Sequence, residues 1–407
     1  MDRSWATLVS QPRQRVIGFD GSRISSRPRT GTETYAFELL KSLAALAEPD
    51  ELRVYLNTQE LPEGFPEETE SVSMNAPRLW THGRLSWEMA RRPPGLLFVP
   101  SHVIPAFHPR AVVNVHDLAF LVHPEAFTNR QRQELDIATR WNVRAATKII
   151  AVSRRTKTDL VEHYRIAPEK IVVVHHGVSR GFQPAGAAQI ERVQLAFGLD
   201  REYILSVGTL HPRKNYPAVI SAFELAVDAG LTADLVICGA GGRDAASTLQ
   251  AIDASPVRKR IRWLRYVDQN DLPPLYSAAS LVMLASLYEG FGMPALEAMS
   301  CGAPVAVSST GALPEVAGSG ARYVDPLDVE SISGVMLELC GSAQLIERYR
   351  NLGQQWARRF TWRRSAALTM NVLRAVRDDR EINDDRLGWS ELAGARPQPG
   401  SNDGVEG

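Results

Sequence analysis

KIIAVSRRTKTDLVEHYRIAPEKIVVV, residues 148–174, is the stretch on which the fold turns. Its two ends, 148–152 (KIIAV) and 171–174 (IVVV), are short, β-branched and nearly continuous in apolar character. A strand with no polar alternation is covered on both faces, as in a parallel sheet. Between them, 154–164 has helical spacing, and a helix joining two such strands is a βαβ unit. The same grammar extends upstream through 112–116 (VVNVH), 96–100 (LLFVP), 52–57 (LRVYLN) and 16–20, with helical patterns at 129–146 and 32–47. Alternation of this kind predicts a doubly wound sheet.

Downstream, residues 180–188 (RGFQPAGAA) are rich in Gly, Ala and Pro and read as a linker. The alternation then restarts, with strands at 203–207 (YILSV), 234–238 (DLVIC), 281–285 (LVMLA) and 304–307 (PVAV) and a helix at 216–229. The expectation is two α/β domains in tandem: a first domain over 14–180, a linker over 181–200, a second domain over 201–360, a terminal helix over 361–378 and a disordered polar tail over 379–407. A chain of 407 residues suits two cores better than one.

Composition narrows the function. Lys+Arg and Asp+Glu balance at 46 each, so no global basic field points to nucleic acid. The three cysteines, Cys238, Cys301 and Cys340, form no C-x-x-C pair, which fits a reducing compartment and argues against a Cys-built zinc site. The N-terminal MDRSWATLVSQPRQRV has no apolar signal-peptide region, and no apolar run nears the roughly 20 residues that span a bilayer. The expected location is the cytoplasm, with peripheral contact to the inner face of a membrane left open.

The chemistry should follow strand ends, because ligands of open parallel sheets bind outside the carboxyl ends of the strands. After 281–285 comes Glu289-Gly290-Phe291-Gly292-Met293-Pro294-Ala295-Leu296-Glu297. Pro294 suits the first position of a helix, which is expected to run to Gly302 with Glu297 in its first turn. The glycines let the backbone approach a ligand, and the free N–H groups of the helix start can hold a phosphate. Glu289 and Glu297 flank that anion site and can accept hydrogen bonds from hydroxyls. The pairing suits a nucleotide sugar, which carries hydroxyls on both sides of a pyrophosphate. A blander reading makes Glu297 a complement to the helix dipole and Glu289 a solvated loop residue.

A second loop, Gly208-Thr209-Leu210-His211-Pro212-Arg213-Lys214-Asn215, follows 203–207 and sets two cations side by side. They can neutralise a diphosphate, Arg213 as a bidentate fork and Lys214 as a point charge; alternatively the loop is simply basic and solvated. His116-Asp117 follows 112–115, where the imidazole can hold a hydroxyl or pass a proton, or else be a satisfied half-buried residue while Asp117 caps the next segment. His102, His108, His123, His175 and His176 show no helical metal spacing, and His175-His176 is expected at a strand end for local reasons. In the loop Arg29-Thr30-Gly31-Thr32-Glu33-Thr34-Tyr35, Thr30 or Thr32 caps the next helix and Gly31 lets the backbone come close. There is no Asp-x-Asp, the common divalent-metal handle for a sugar pyrophosphate, so neutralisation falls to Arg213, Lys214 and a helix N-terminus. Gly239-Ala240-Gly241-Gly242-Arg243-Asp244 is not G-x-G-x-x-G, which argues against a nicotinamide dehydrogenase.

These segments resemble the retaining GT-B glycosyltransferases of the glycosyl transferase group one, or family four, type. The likeness runs from Val16 to about Arg374 and is carried by VGTLHPRKN, LVICGAGG, the long run from IRWLRY to LPEVAG, and ARYVDP in the second half; in the first half it is carried by VVNVHDLAFLVHP, IIAVSRRTKTDLVEHY and APEKIVVVHHGV. The resemblance implies two Rossmann-like domains facing a central cleft and a metal-independent transfer of a hexose from a nucleotide diphosphate, with retention, by front-face attack or through a covalent intermediate. It implies that Glu289 faces the donor sugar with backbone help from Gly290, Phe291, Gly292 and Met293, and that Glu297 accepts from the ribose. Lys214 and Arg213 would bind the diphosphate, Val267 would touch the base, Gly31 would lie against the diphosphate, and His116 would be the cleft histidine. Residues 356–374 would pack back across the first domain. The chain departs from the pattern at Thr209, where many relatives carry Arg, at Thr30-Gly31, where Gly-Gly is frequent, and at His176, where Asn is usual.

The wording around VHDLAF and GTLHPRKN is similar to mannosyl- and related hexosyltransferases of surface-polysaccharide assembly. GDP-mannose is therefore placed slightly ahead of UDP-hexoses, with a saccharide or lipid-linked acceptor and no cofactor. Two other classes stay open: a non-catalytic nucleotide-sugar-binding partner subunit, and a GT-B epimerase or phosphorylase.

Overall fold

The computed structural model describes residues 15–24, 31–74, 76, 79–100, 103–242 and 245–382. The described residues divide into two compact units. One holds the chain up to Ser179 and again from Phe360; the other holds Arg180–Arg359.

The first unit runs β1 (Ile17–Asp20), α1 (Gly31–Ala44), β2 (Leu52–Leu56), β3 (Glu70–Ser73), a π-helical turn Trp80–Leu85 leading into α2 (Ser86–Arg91), β4 (Leu96–Val99), β5 (Ala111–Val115), α3 (Ala119–Val122), α4 (Asn129–Ala145), β6 (Lys148–Ala151), α5 (Arg154–Tyr164) and β7 (Ile171–Val173). Its strands form one parallel sheet in the order β3-β2-β1-β4-β5-β6-β7. The central strands β1, β4 and β5 are buried at every residue, as continuous apolar runs require. Local signals start the helices: Thr128 and Gln131 close a capping box at α4, and the Ser153 hydroxyl accepts from the Thr156 N–H at α5.

The second unit runs α6 (Ala187–Phe197), β8 (Tyr203–Val207), α7 (Tyr216–Asp228), β9 (Asp234–Cys238), α8 (Ala246–Ala254), β10 (Ile261–Trp263), α9 (Leu272–Ala278), β11 (Leu281–Leu284), α10 (Met293–Ser300), β12 (Val305–Ser308), α11 (Leu313–Ala317), β13 (Arg322–Val324), α12 (Val329–Cys340) and α13 (Ala343–Ala357). The parallel sheet order is β10-β9-β8-β11-β12-β13, so the winding direction reverses between β8 and β11. Loops leaving those two strands diverge around a crevice where ligands of such sheets bind.

The stretch expected as a linker, 181–200, is not a spacer throughout. It contains α6, which packs on α9, with the Ala185 N–H donating to Ser277 Oγ at 3.0 Å and Arg192 paired to Asp271 at 2.7 Å. Only the entry is Gly/Pro-rich; AAQIERVQLAF itself is a good helix former and Gly198, at φ +65°, ends it. Thr32 is also not a cap, because α1 begins at Gly31 and Thr32 is inside it; Thr30 lies outside the described residues, as do His102, Arg243, Asp244 and the tail from 383 on.

The chain re-enters the first unit at Phe360 rather than at Trp356, whose indole N–H donates to Val316 O at 2.7 Å within the second unit. The last helix, α14 (Trp362–Arg377), packs on α1 and buries an apolar stripe including Ala366, Met370 and Leu373. Buried Glu51 latches it, accepting from Arg374 Nε at 2.7 Å and Arg377 Nη1 at 2.9 Å. Beside its start, the Val178 N–H donates to Phe360 O at 3.1 Å. No helix among the described residues is long and apolar enough to cross a membrane.

Gly177 makes that crossing possible, since a Cβ there would stand 2.0 Å from the backbone nitrogen of Trp362. Backbone cannot swing aside as a side-chain tip can. Gly177→Ala should therefore cost at least about 3 kcal/mol of stability in urea unfolding, at the upper end of overpacking penalties. A variant indistinguishable from wild type would show that α14 docks without this close approach.

Candidate functional site

In the second unit, the loop after β8 folds into a 3₁₀ turn, Pro212–Lys214, in which His211 Nδ1 accepts from the Arg213 N–H at 3.3 Å. The turn places both cations toward the loop after β11. The Arg213 carbonyl accepts from the Leu287 N–H at 2.8 Å, and Arg213 Nη1 donates to Tyr288 O at 3.2 Å. The two loops then close on one carboxylate: Arg213 Nη1 reaches Glu289 Oε2 at 2.7 Å, while Lys214 Nζ and Ser286 Oγ (2.9 Å) both donate to Glu289 Oε1. Glu289 is therefore no solvated loop residue; it is 8% exposed. Burial alone would raise its pKa, but the charges of Lys214 and Arg213 outweigh that and hold it down at about 2.

The backbone is braced as well. Asn215, in the left-handed region at φ 59°, donates its side-chain amide to Ala285 O at 3.2 Å and Pro326 O at 2.7 Å, tying together the loops after β8, β11 and β13. The Ala312 N–H donates to Glu289 O at 3.0 Å. The loop leaving β9 comes so near the β8 loop that a Cβ on Gly239 would meet Gly208 O at 2.0 Å.

Gly290 and Phe291 are buried, and Gly292, at φ +106°, is the N-cap of α10 with no side-chain acceptor for the first N–H groups. The helix starts at Met293, with Pro294 second. Glu297 is thus its fifth residue and lies in the second turn, not the first as the sequence suggested. That removes the dipole-complement reading, which needs the first turn. Tyr276 Oη donates to Glu297 Oε2 at 3.2 Å. Burial raises the Glu297 pKa to about 7, against the lowering effects of the Tyr276 hydrogen bond and the Lys214 charge. Val267, after β10, is buried, and Thr209, in the loop after β8, is exposed.

In the first unit, His116 follows β5. Its Nε2 lies 3.0 Å from Pro100 O and 3.2 Å from Asn114 Nδ2. The Pro100 carbonyl accepts whereas the Asn114 amide donates, so the two contacts call for opposite tautomers at Nε2. Burial lowers the His116 pKa, keeping the ring neutral. The Asp117 carboxylate accepts from the Ala119 N–H at 3.0 Å and so starts the next segment. Gly31 heads α1, exposed, with no atom of the described residues within 4 Å of where a Cβ would stand. One turn further, Tyr35 packs its ring edge-on to His116 at 4.8 Å and donates to Asn114 Oδ1 at 3.0 Å. His176 packs against Tyr35 (4.5 Å) and Trp362 (5.9 Å), whose rings also meet each other at 5.8 Å. The structure thus gathers Arg213, Lys214 and Glu289 into one cluster, sets Glu297 close to it, and builds a separate aromatic–imidazole cluster around His116.

Ser286, Tyr276, Asn215 and the Tyr35–His176–Trp362 set carry no sequence signal of their own. Only the Ser286-x-x-Glu289 spacing is short enough to have been read locally.

A family model described as "Glycosyl transferases group 1" matches residues 188–356, and one described as "Glycosyltransferase Family 4" matches residues 29–181. "O-antigen chain mannosyltransferase B" of Escherichia coli is 28% identical over 372 residues, covering 86% of this chain and 97% of that protein. "O-antigen chain mannosyltransferase RfbU" of Salmonella typhimurium is 27% identical over 257 residues, 63% of this chain and 68% of that protein. Among solved structures, sucrose-phosphate synthase from Thermosynechococcus elongatus superposes with a TM-score of 0.72 at 17% identity, covering 90% of this chain and all of that one (100%). Anabaena HepE in complex with UDP-glucose gives 0.68 at 18% identity, covering 88% of this chain and 99% of that one. These superpositions establish the GT-B fold.

The triad has a stability signature. Because the folded pKa of Glu289 lies below its unfolded value, its contribution is fully present above about pH 4.5 and is lost as pH falls toward about 2. Glu289→Gln leaves two cations facing each other without their carboxylate and should cost about 3 kcal/mol at neutral pH. The deficit against wild type should shrink as the pH of the melt falls below about 4. A constant deficit across that range would refute the ionised triad.

Proposed function

From the premise that this chain belongs to the group 1 glycosyl transferases and is a glycosyltransferase of GT-B type, we propose that it moves a hexosyl residue from a nucleoside diphosphate sugar to a saccharide or lipid-linked saccharide on the cytoplasmic side. In this reading the anomeric configuration is retained and no metal takes part. The preferred donor is GDP-mannose, ahead of UDP-hexoses. The mannosyltransferase names of the two relatives support the sugar. The observation that carries the reading is the convergence of Arg213 and Lys214 on Glu289, ahead of α10 and at the point where the strand order reverses.

At rest the cluster sets two cations against one carboxylate. When the donor binds, its diphosphate takes over the cations, together with the N–H groups of the first turn of α10. Glu289, released from them, accepts hydrogen bonds from the sugar hydroxyls. Glu297 accepts from the ribose, and Val267 meets the base. As the anomeric carbon–oxygen bond breaks, its electron pair leaves with the diphosphate, the acceptor hydroxyl oxygen bonds to that carbon, and the hydroxyl proton passes to the departing phosphate oxygen. Lys214 and Arg213 stabilise that growing charge where a metal ion would otherwise do so.

Thermal-shift measurements with GDP-, UDP- and ADP-sugars test the donor, since the tightest binder stabilises most. GDP-mannose is expected to lead, and turnover to survive excess EDTA. Loss of all turnover in EDTA, restored by magnesium or manganese, would overturn the metal-free reading.

Lys214→Ala should lower kcat on the order of 10²-fold, as loss of a charge-stabilising donor does elsewhere. Glu297→Ala should weaken binding of the nucleoside diphosphate, whereas Glu289→Ala should mainly slow transfer. Steady-state kinetics with titration of the free diphosphate separate the three; a Lys214→Ala enzyme with wild-type kcat would place the diphosphate elsewhere.

A further inference from the structure

Tyr276 lies in α9 with its side chain wholly out of solvent (0% exposed). The helix is held where the tyrosine leaves it, because Tyr203 Oη donates to Leu275 O at 2.8 Å. The Phe182 ring packs against the phenol at 6.2 Å between centroids. A hydroxyl fixed this way cannot follow a turning carboxylate; it dictates where the carboxylate points. It donates to Oε2 of Glu297, and among the described residues that is the hydrogen bond made by this carboxylate. We infer that Tyr276 is a positioning residue for nucleotide recognition, occupying Glu297 Oε2 so that Oε1 is presented to the vicinal hydroxyls of a ribose. The inference rests on the reading of Glu297 as the ribose-binding residue.

The groups that face Glu297 are Tyr276 from α9, Lys214 from the loop after β8 and Cys301 at the end of α10, with Cys238 of β9 facing Tyr276 from behind. Burial pushes the phenol of Tyr276 and both thiols well up, so they stay neutral at ordinary pH. Glu297 alone among them titrates near neutrality, because burial raises its pKa to about 7 while Tyr276 and Lys214 pull it down. Ribose hydroxyls donate to the anion. Recognition of the diol should therefore strengthen as pH rises through about 7, and removing the phenol should move that rise to higher pH.

The test compares GDP with 2′,3′-dideoxy-GDP, and UDP with its dideoxy counterpart, by calorimetry on the full chain from about pH 6 to about pH 9. The base and diphosphate are common to each pair, so the ratio of affinities isolates the diol. In wild type the ratio should favour the ribonucleotide and climb through about pH 7 to a plateau. Tyr276→Phe keeps the ring and its packing; it should lower the ratio about fivefold more near pH 7 than near pH 9, as a midpoint raised by about one unit requires, and leave a smaller deficit at about pH 9, where the ionised carboxylate is no longer aimed. Glu297→Gln should flatten the profile in both backgrounds. A Tyr276→Phe ratio that matches wild type at every pH, or is depressed equally at every pH, overturns the positioning role. A wild-type enzyme that binds ribo- and dideoxynucleotides alike overturns instead the ribose assignment of Glu297, and the positioning role with it.

Discussion

A carboxylate that stays ionised while 8% exposed needs charge beside it, and Glu289 has two cations. Removing it from water is costly, and only close, hydrogen-bonded counter-charges offset that cost. Arg213 and Lys214 supply them from the loop after β8, so the ion cluster also clamps that loop to the one after β11. Ser286, Asn215 and the Ala312 N–H hold the pieces in register from below and beside. The cluster thus fixes both cations and the two loops that carry them in one arrangement.

Much of the fold is legible in the sequence because its central strands are covered on both faces, and continuous apolar runs such as 96–99 (LLFV) and 281–284 (LVML) leave little choice. The strands without such a signal, β3 (ESVS), β10 (IRW) and β13 (RYV), are all at sheet edges, where one side of the ladder is open and apolar continuity is not demanded. The 181–200 segment misleads for a related reason: its Gly/Pro entry is a turn signal, but packing against α9 makes the remainder a helix. Glu297 lies one residue later in its helix than the spacing suggests, because Pro294 is the second helical residue and not the first, and that step takes it out of the first turn, where the dipole acts.

The candidate side chains show the same division. Glu289, Arg213, Lys214 and His116 are visible in the sequence because each stands in the loop that leaves a strand. Their partners are not. Tyr35 and Asn114 are 79 residues apart, Arg213 and Glu289 76, Asn215 and Pro326 111. No short window of sequence contains such a pair. The imidazoles of His116 and His176 illustrate the limit: two histidines at strand ends are commonplace, and only the fold stacks them around Tyr35 and Trp362 into a water-poor cluster where burial keeps both neutral.

The docking of α14 on α1 bears on how the protein is made. The first unit is discontinuous, and its closing helix is translated only after all of Arg180–Arg359. At ordinary elongation rates that interval lasts roughly 10–40 s. During it, the face of α1 that α14 will cover stays unpaired, and by its end the second unit has all of its described strands. The usual order of cotranslational folding is thereby inverted: the C-terminal unit can finish first, and the N-terminal one waits, dependent on chaperones or on its own solubility, for the last helix to leave the exit tunnel.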